Sequence, residues 1–155
     1  MEEMGQKKVT NGLSCLGLIQ KNLVSDVRRI MNCDPGFRSP FINKSRLLEN
    51  EIGFVIFDGF PVSEGHCLII PKRIYPNYFD STPDELIGLH QLVVDTKLLL
   101  DKKFKPDGYN VGINCGEHSG QTIPHVHIHL IPRYEGDMEN PRGGVRGVIP
   151  SKQKY

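Results

Sequence analysis

The stretch HVHIHLIP, residues 125–132, sets three of the chain's 6 histidines at every second position. Alternation over that length is the period of an extended strand, whose successive side chains leave opposite faces. His125, His127 and His129 then share one face, and Val126, Ile128 and Leu130 the other. The apolar face is core. Half-buried strands ordinarily carry Thr, Tyr or Val on the second face, so a row of imidazoles there asks for a chemical reason. One ion held by all three is excluded by reach: at about 3.3 Å per residue, His125 and His129 stand roughly 13 Å apart. An adjacent pair could bind a metal with help from Cys33 and His66, but Gly36 stands where the second cysteine of a C-x-x-C pair would fall. Beside a metal site and a polar strand face without chemistry, a third possibility is an imidazole acting as nucleophile, with its neighbours fixing its tautomer and orientation.

The preceding segments favour phosphorus as the target of that nucleophile. YNVGINC (residues 109–115) reads as a strand, and GEHSGQTIP (residues 116–124) as the polar loop joining it to the histidine strand in one hairpin. That loop brings Ser119, Gln121 and Thr122 beside the imidazoles, and Gly116 and Gly120 allow its backbone to approach a ligand closely. His90, within a helical pattern, and His118, in the loop, read as surface residues.

Further outward, residues 52–58 (IGFVIFD) and 66–71 (HCLIIP) are β-branched and aromatic runs separated by GFPVSEG, which predicts an antiparallel pair; a short strand is expected near residues 46–48. The clearest helix begins after Thr82 as N-cap, with Pro83 at its first position and Glu85 closing a capping box. Apolar residues recur on one side to its end near Phe104. A second amphipathic helix is predicted between residues 13 and 31, stopped by DPG. These elements divide the chain into a helical leader (residues 1–33), a core domain (34–134) and a flexible Gly-, Pro- and Arg-rich tail (135–155).

Composition narrows the class. The 155 residues hold 19 Lys and Arg against 18 Asp and Glu, a formal charge of +1, which argues against a general nucleic-acid or membrane-surface binder. Phosphate recognition must therefore be local. No run approaches the roughly 18 apolar residues of a membrane span, and the start lacks a secretory apolar core, so the cytoplasm is the expected address. The 4 cysteines, at positions 15, 33, 67 and 115, follow no disulfide or metal spacing.

The motif His125-Val126-His127-Ile128-His129-Leu130-Ile131 resembles the signature of the histidine triad (HIT) superfamily of nucleotide hydrolases and transferases. The resemblance extends over GINCGEHSGQTIPHVHIHLIPR and FVIFDGFPVSEGHCLIIPKR, from about residue 52 to residue 133. It implies an α+β fold, an antiparallel sheet with packed helices, assembled as a homodimer. It also implies that His127 attacks the α-phosphate of a nucleotide to form a nucleotidyl-histidine intermediate, with His125 and His129 orienting nucleophile and phosphate. By the same resemblance Asn114, Gln121 and Thr122 contact phosphate, Gly120 belongs to the phosphate-binding loop, Asp58 binds the ribose hydroxyls, and His66 lies close to the triad. No cofactor and no metal are implied, and CDPG stands where zinc-containing members carry C-x-x-C.

NPRGGVRGVIP in the tail resembles the C-terminal stretch of bacterial members related to dinucleoside polyphosphate hydrolases. Arg142 and Arg146 are accordingly expected to clamp distal phosphates, since a guanidinium binds phosphate through two hydrogen bonds. The expected reaction is hydrolysis or transfer at the α-phosphate of a dinucleoside polyphosphate. Cleavage of adenosine phosphoramidates or nucleoside monophosphate esters is the alternative within the family, and non-catalytic nucleotide binding the alternative outside it.

Overall fold

A computed structural model describes residues 36–155. The leader, its expected helix, Cys15 and Cys33 lie outside the described residues. β1 (Leu48–Glu49), β2 (Gly53–Phe57) and β3 (Cys67–Pro71) come first, followed by α1 (Pro83–Phe104), β4 (Gly108–Gly112) and β5 (Ile128–Arg133). They make one five-stranded sheet in the order β1-β2-β3-β5-β4, with every neighbouring pair antiparallel. The class is α+β, as expected. β5 enters between β3 and β4, which carries the histidine segment to the interior of the sheet.

Period-two alternation sorts the core into two layers. Val55, Cys67, Ile69, Ile128 and Leu130 pack against Leu89, Leu92 and Leu100 of α1. On the opposite face Phe54, Ile56, Leu68 and Ile70 pack with Phe41. The sheet thus has one side covered by α1 and an opposite side on which Phe41 packs, and His129, paired across to Leu68, belongs to the second.

α1 begins as its sequence predicts. The Thr82 hydroxyl accepts from the Glu85 N–H, and the Glu85 carboxylate accepts from the Thr82 N–H at 2.8 Å. Glu85 also takes two hydrogen bonds of 2.7 Å from Arg73, which ties the helix start to the segment leaving β3. One turn later Gly88 lies against Ile52, so closely that an added Cβ would stand 2.5 Å from Ile52 Cγ1. The Asn50 amide donates to the Gly88 carbonyl at 2.9 Å at the same crossing.

Three boundaries differ from the sequence expectation. The strand predicted near residues 46–48 is Leu48–Glu49, and the strand predicted over residues 109–115 ends at Gly112. The histidine strand begins only at Ile128. His125 lies in a bend after Pro124, and the Val126 N–H bonds to the Tyr75 carbonyl instead of a β3 partner. The tail contains two 3-10 turns, Gly144–Val148 and Pro150–Lys152, where no element was expected. No helix among the described residues is long and apolar enough to cross a membrane.

Candidate active site

The sheet face opposite α1 carries a cavity of about 480 Å³. Phe41, Ile56 and Leu68 supply apolar walls, while Asp58, Thr122, His127 and His129 bring polar atoms to it. The three histidines have three different environments, and their hydrogen bonds fix which ring nitrogen carries the proton in each.

His125 is fully buried. Its Nε2 is 2.9 Å from the Pro71 carbonyl and 3.2 Å from that of Arg73, both acceptors, so Nε2 carries the proton. Its Nδ1 therefore accepts from the Ser39 hydroxyl at 2.7 Å. Burial holds this imidazole below the ordinary histidine range, that is, neutral, against the opposing pull of the two carbonyls. Every polar atom of the ring is used, which leaves the side chain no hydrogen bond to give a substrate. Its backbone carbonyl still acts on its neighbour.

That neighbour, His127, donates Nδ1–H to the His125 carbonyl at 2.7 Å. In the neutral ring this fixes the remaining lone pair on Nε2. Phe41 meets the His127 ring edge-on at 5.3 Å between centroids, and the ring is 7% exposed where it lines the cavity.

His129 has the opposite polarity. The Val62 N–H donates to His66 Nδ1 at 3.3 Å, so His66 carries its proton on Nε2 and gives it to His129 Nδ1 at 3.0 Å. His129 is left with Nε2–H, a donor. Desolvation, with the neighbouring His127 and His66, pushes His129 down to about 4 despite the attraction of Asp58, and burial likewise lowers His66. The His127 and His129 rings stand 5.1 Å apart. One lone pair and one N–H thus sit side by side, an arrangement suited to attacking a phosphorus atom while holding one of its oxygens.

Asp58 Oδ2 lies 3.5 Å from His66 Nε2 and 3.9 Å from His129 Nδ1, and these three atoms form the one metal-sized cluster among the described residues. An ion there would need the His66 Nε2 lone pair, moving the proton to Nδ1 against the Val62 N–H. The hydrogen bonding therefore fits a proton better than a cation. Asp58 Oδ1 accepts from the Phe60 N–H, which shapes the turn at the cavity mouth.

The loop residues divide. Thr122 lines the cavity. Gln121, expected at phosphate, also closes its own loop: its oxygen accepts from the Gly116 N–H at 2.7 Å, and its amide donates to the carbonyls of Pro76 and Ile123. Gly116 and Gly120 adopt φ of 86° and 89°, values open to glycine, where this turn requires them. Asn114 lines, with His129, a second hollow of about 360 Å³. The expected clamp is not assembled: Arg142 and Arg146 lie over the Tyr155 ring, at 4.8 and 5.3 Å, and neither lines either hollow. His90 and His118 are exposed, as read from sequence. Sequence reasoning missed Ser39 and Phe41, because no local pattern marks a serine that meets a histidine 86 positions later.

The family model for the HIT domain matches residues 40–136. Among characterised proteins, the chain is 43% identical over 77 residues to bis(5'-nucleosyl)-tetraphosphatase (asymmetrical) of Schizosaccharomyces pombe, a match covering 50% of this chain and 42% of that one. It is 39% identical over 90 residues to bis(5'-adenosyl)-triphosphatase of Dictyostelium discoideum, covering 58% and 60% respectively. The match thus spans less than two thirds of either relative. Among solved structures, a HIT family protein of Bacillus anthracis superposes with a TM-score of 0.59 at 35% identity, over 62% of this chain and 68% of that one.

Proposed function

Because the chain belongs to the HIT domain family, we propose that it is a nucleotide hydrolase or nucleotidyl transferase that works at the α-phosphate of dinucleoside polyphosphates through His127. The observation that carries this reading is the bond from His127 Nδ1 to the His125 carbonyl, which leaves Nε2 as the free base in a cavity of nucleoside size. The relatives named above, one acting on a tetraphosphate and one on a triphosphate, support the substrate class.

In the first step His127 Nε2 forms a bond to the α-phosphorus, and the bond to the bridging oxygen breaks. The leaving nucleotide departs with that electron pair. The ring keeps Nδ1–H, and the positive charge it acquires is stabilised by the His125 carbonyl. His129 Nε2–H holds a phosphoryl oxygen as charge builds there. In the second step water attacks phosphorus and loses a proton to solvent, the N–P bond breaks with its electron pair returning to Nε2, and a nucleoside monophosphate leaves with the neutral ring restored. Two displacements of moderate barrier replace one of high barrier. Inorganic phosphate in place of water would give phosphorolysis by the same second step.

Phe41, Ile56 and Leu68 provide the apolar surface that a base and sugar require, and Asp58 Oδ2 on the cavity wall is the acceptor for ribose hydroxyls. The test is product analysis with diadenosine tetraphosphate and with adenosine phosphoramidate, comparing the unaltered protein with His127→Asn. Turnover of the tetraphosphate, reduced about a thousandfold or more in the variant, is the expected result. Preference for the phosphoramidate would select the other branch of the family. Tight adenosine monophosphate binding without turnover of either compound would make the protein a nucleotide binder.

A further inference from the structure

We propose that the hollow on the far side of His129 receives the leaving half of the substrate, a second nucleoside, and that the C-terminal turn Gly144–Val148 forms its outer wall. This rests on the reading that the reaction occurs at His127. His129 lines both hollows, whereas His127 lines only the first and His66 only the second. In a displacement at phosphorus the nucleophile and the leaving oxygen lie roughly in line on opposite sides. With one nucleoside beside His127, the other arm must run away from that ring, across His129. The second hollow lies on that path.

Its chemistry suits a nucleobase. Val62, Val145 and Val148 are 72%, 60% and 76% exposed, and all three line this one depression. Exposed apolar residues scattered singly need no explanation, but gathered around a hollow beside reactive groups they mark a binding surface. Asn110 and Asn114 add amides at its edge, where the donors and acceptors of a base would meet them. One side of Asn110 is already used, since its oxygen accepts from Arg133 at 2.7 Å. The volume of about 360 Å³ lies within the range of small-molecule sites.

The wall is a built feature. Gly144 sits where a Cβ would be 3.5 Å from the Asn110 amide nitrogen, so the turn rests against β4 with Val145 and Val148 facing the hollow. Arg142 and Arg146 stay outside it on Tyr155. The tail therefore recognises the apolar face of the leaving group and not its phosphates.

The test is the double variant Val145→Ser, Val148→Ser, assayed on diadenosine tetraphosphate and on adenosine phosphoramidate, whose leaving group is too small to fill the second hollow. Both valines are more than half exposed, and the melting temperature of the variant checks that the fold is retained. The ratio of kcat/KM for the tetraphosphate to that for the phosphoramidate should fall about tenfold. An unchanged ratio overturns the inference while leaving His127 chemistry intact. An unchanged ratio with a shift in sedimentation overturns it in favour of a second copy of the chain on that surface. Absence of turnover by the unaltered protein would overturn this inference together with the reading it rests on.

Discussion

At the scale of single residues, the triad is a set of three imidazoles made unlike one another by what each bonds to. His125 is a support whose ring is spent on Ser39, Pro71 and Arg73. Its effect on chemistry passes through its carbonyl to His127. Ser39→Ala removes the one donor to His125 Nδ1 among the described residues, at a buried site. Leaving a buried acceptor unmet costs about 1–3 kcal/mol, so the urea midpoint should fall correspondingly. An unaltered midpoint would show that water takes the place of the hydroxyl. The imidazoles themselves were legible in the sequence, because their spacing is unusual for a strand. Their separate roles were not, because each depends on a partner far along the chain or on a backbone atom that no side-chain pattern reveals. Gln121 shows the same limit: no sequence pattern announced that its amide ties the loop to Gly116 and to the Pro76 carbonyl.

At the scale of elements, signals that act locally were readable and those that act across the fold were not. Thr82, Pro83 and Glu85 lie within one turn of each other, and α1 starts where they say it should. The start of β5 depends on what its neighbour offers. Pro71 at the end of β3 has no N–H, and its carbonyl is taken by the His125 ring, so the ladder with β3 extends only over Cys67–Ile69 and the first two histidines lie outside it. The contact of α1 with Ile52 at Gly88 was equally invisible. Gly88→Ala would gain about 1 kcal/mol of helix propensity, but its Cβ would lie 2.5 and 2.7 Å from Ile52 Cγ1 and Cβ, atoms close to the main chain that have little room to move. Overpacking costs about 1–3 kcal/mol. The net outcome expected is a loss of about 1 kcal/mol by chemical denaturation, and a gain would mean that the helix shifts along the sheet without penalty.

At the scale of the whole molecule, the site makes folding sensitive to mild acid. His66, His125 and His129 are all held below their ordinary value of 6.5, His129 to about 4, chiefly by burial. Below pH 6.5 the unfolded chain takes up protons that the folded chain refuses, and stability rises with pH wherever the unfolded state binds more protons. Stability from these groups is therefore fully present above about pH 6.5 and lost progressively toward pH 4. Carboxylates held low by partners, such as Asp137 at about 2 and Glu85 beside Arg73, lose theirs only at lower pH. Urea midpoints should fall between pH 7.5 and 5.0, and a flat profile would show that these rings are protonated in the folded state.

The C-terminal segment is closed on itself. A Cβ on Gly143 would collide with the Gln153 carbonyl, Arg146 donates to the Lys152 carbonyl at 3.0 Å, and two guanidinium groups contact the Tyr155 ring. His127 sits beside an interior strand of the sheet, while one wall of the hollow beyond it sits on a loop that carries its own internal contacts. Substitutions in two regions with few shared partners add independently. Such a division lets variation redraw the outer hollow without disturbing the imidazole cluster, so the shape offered to a ligand can diversify under mutation while the histidine arrangement is inherited unchanged.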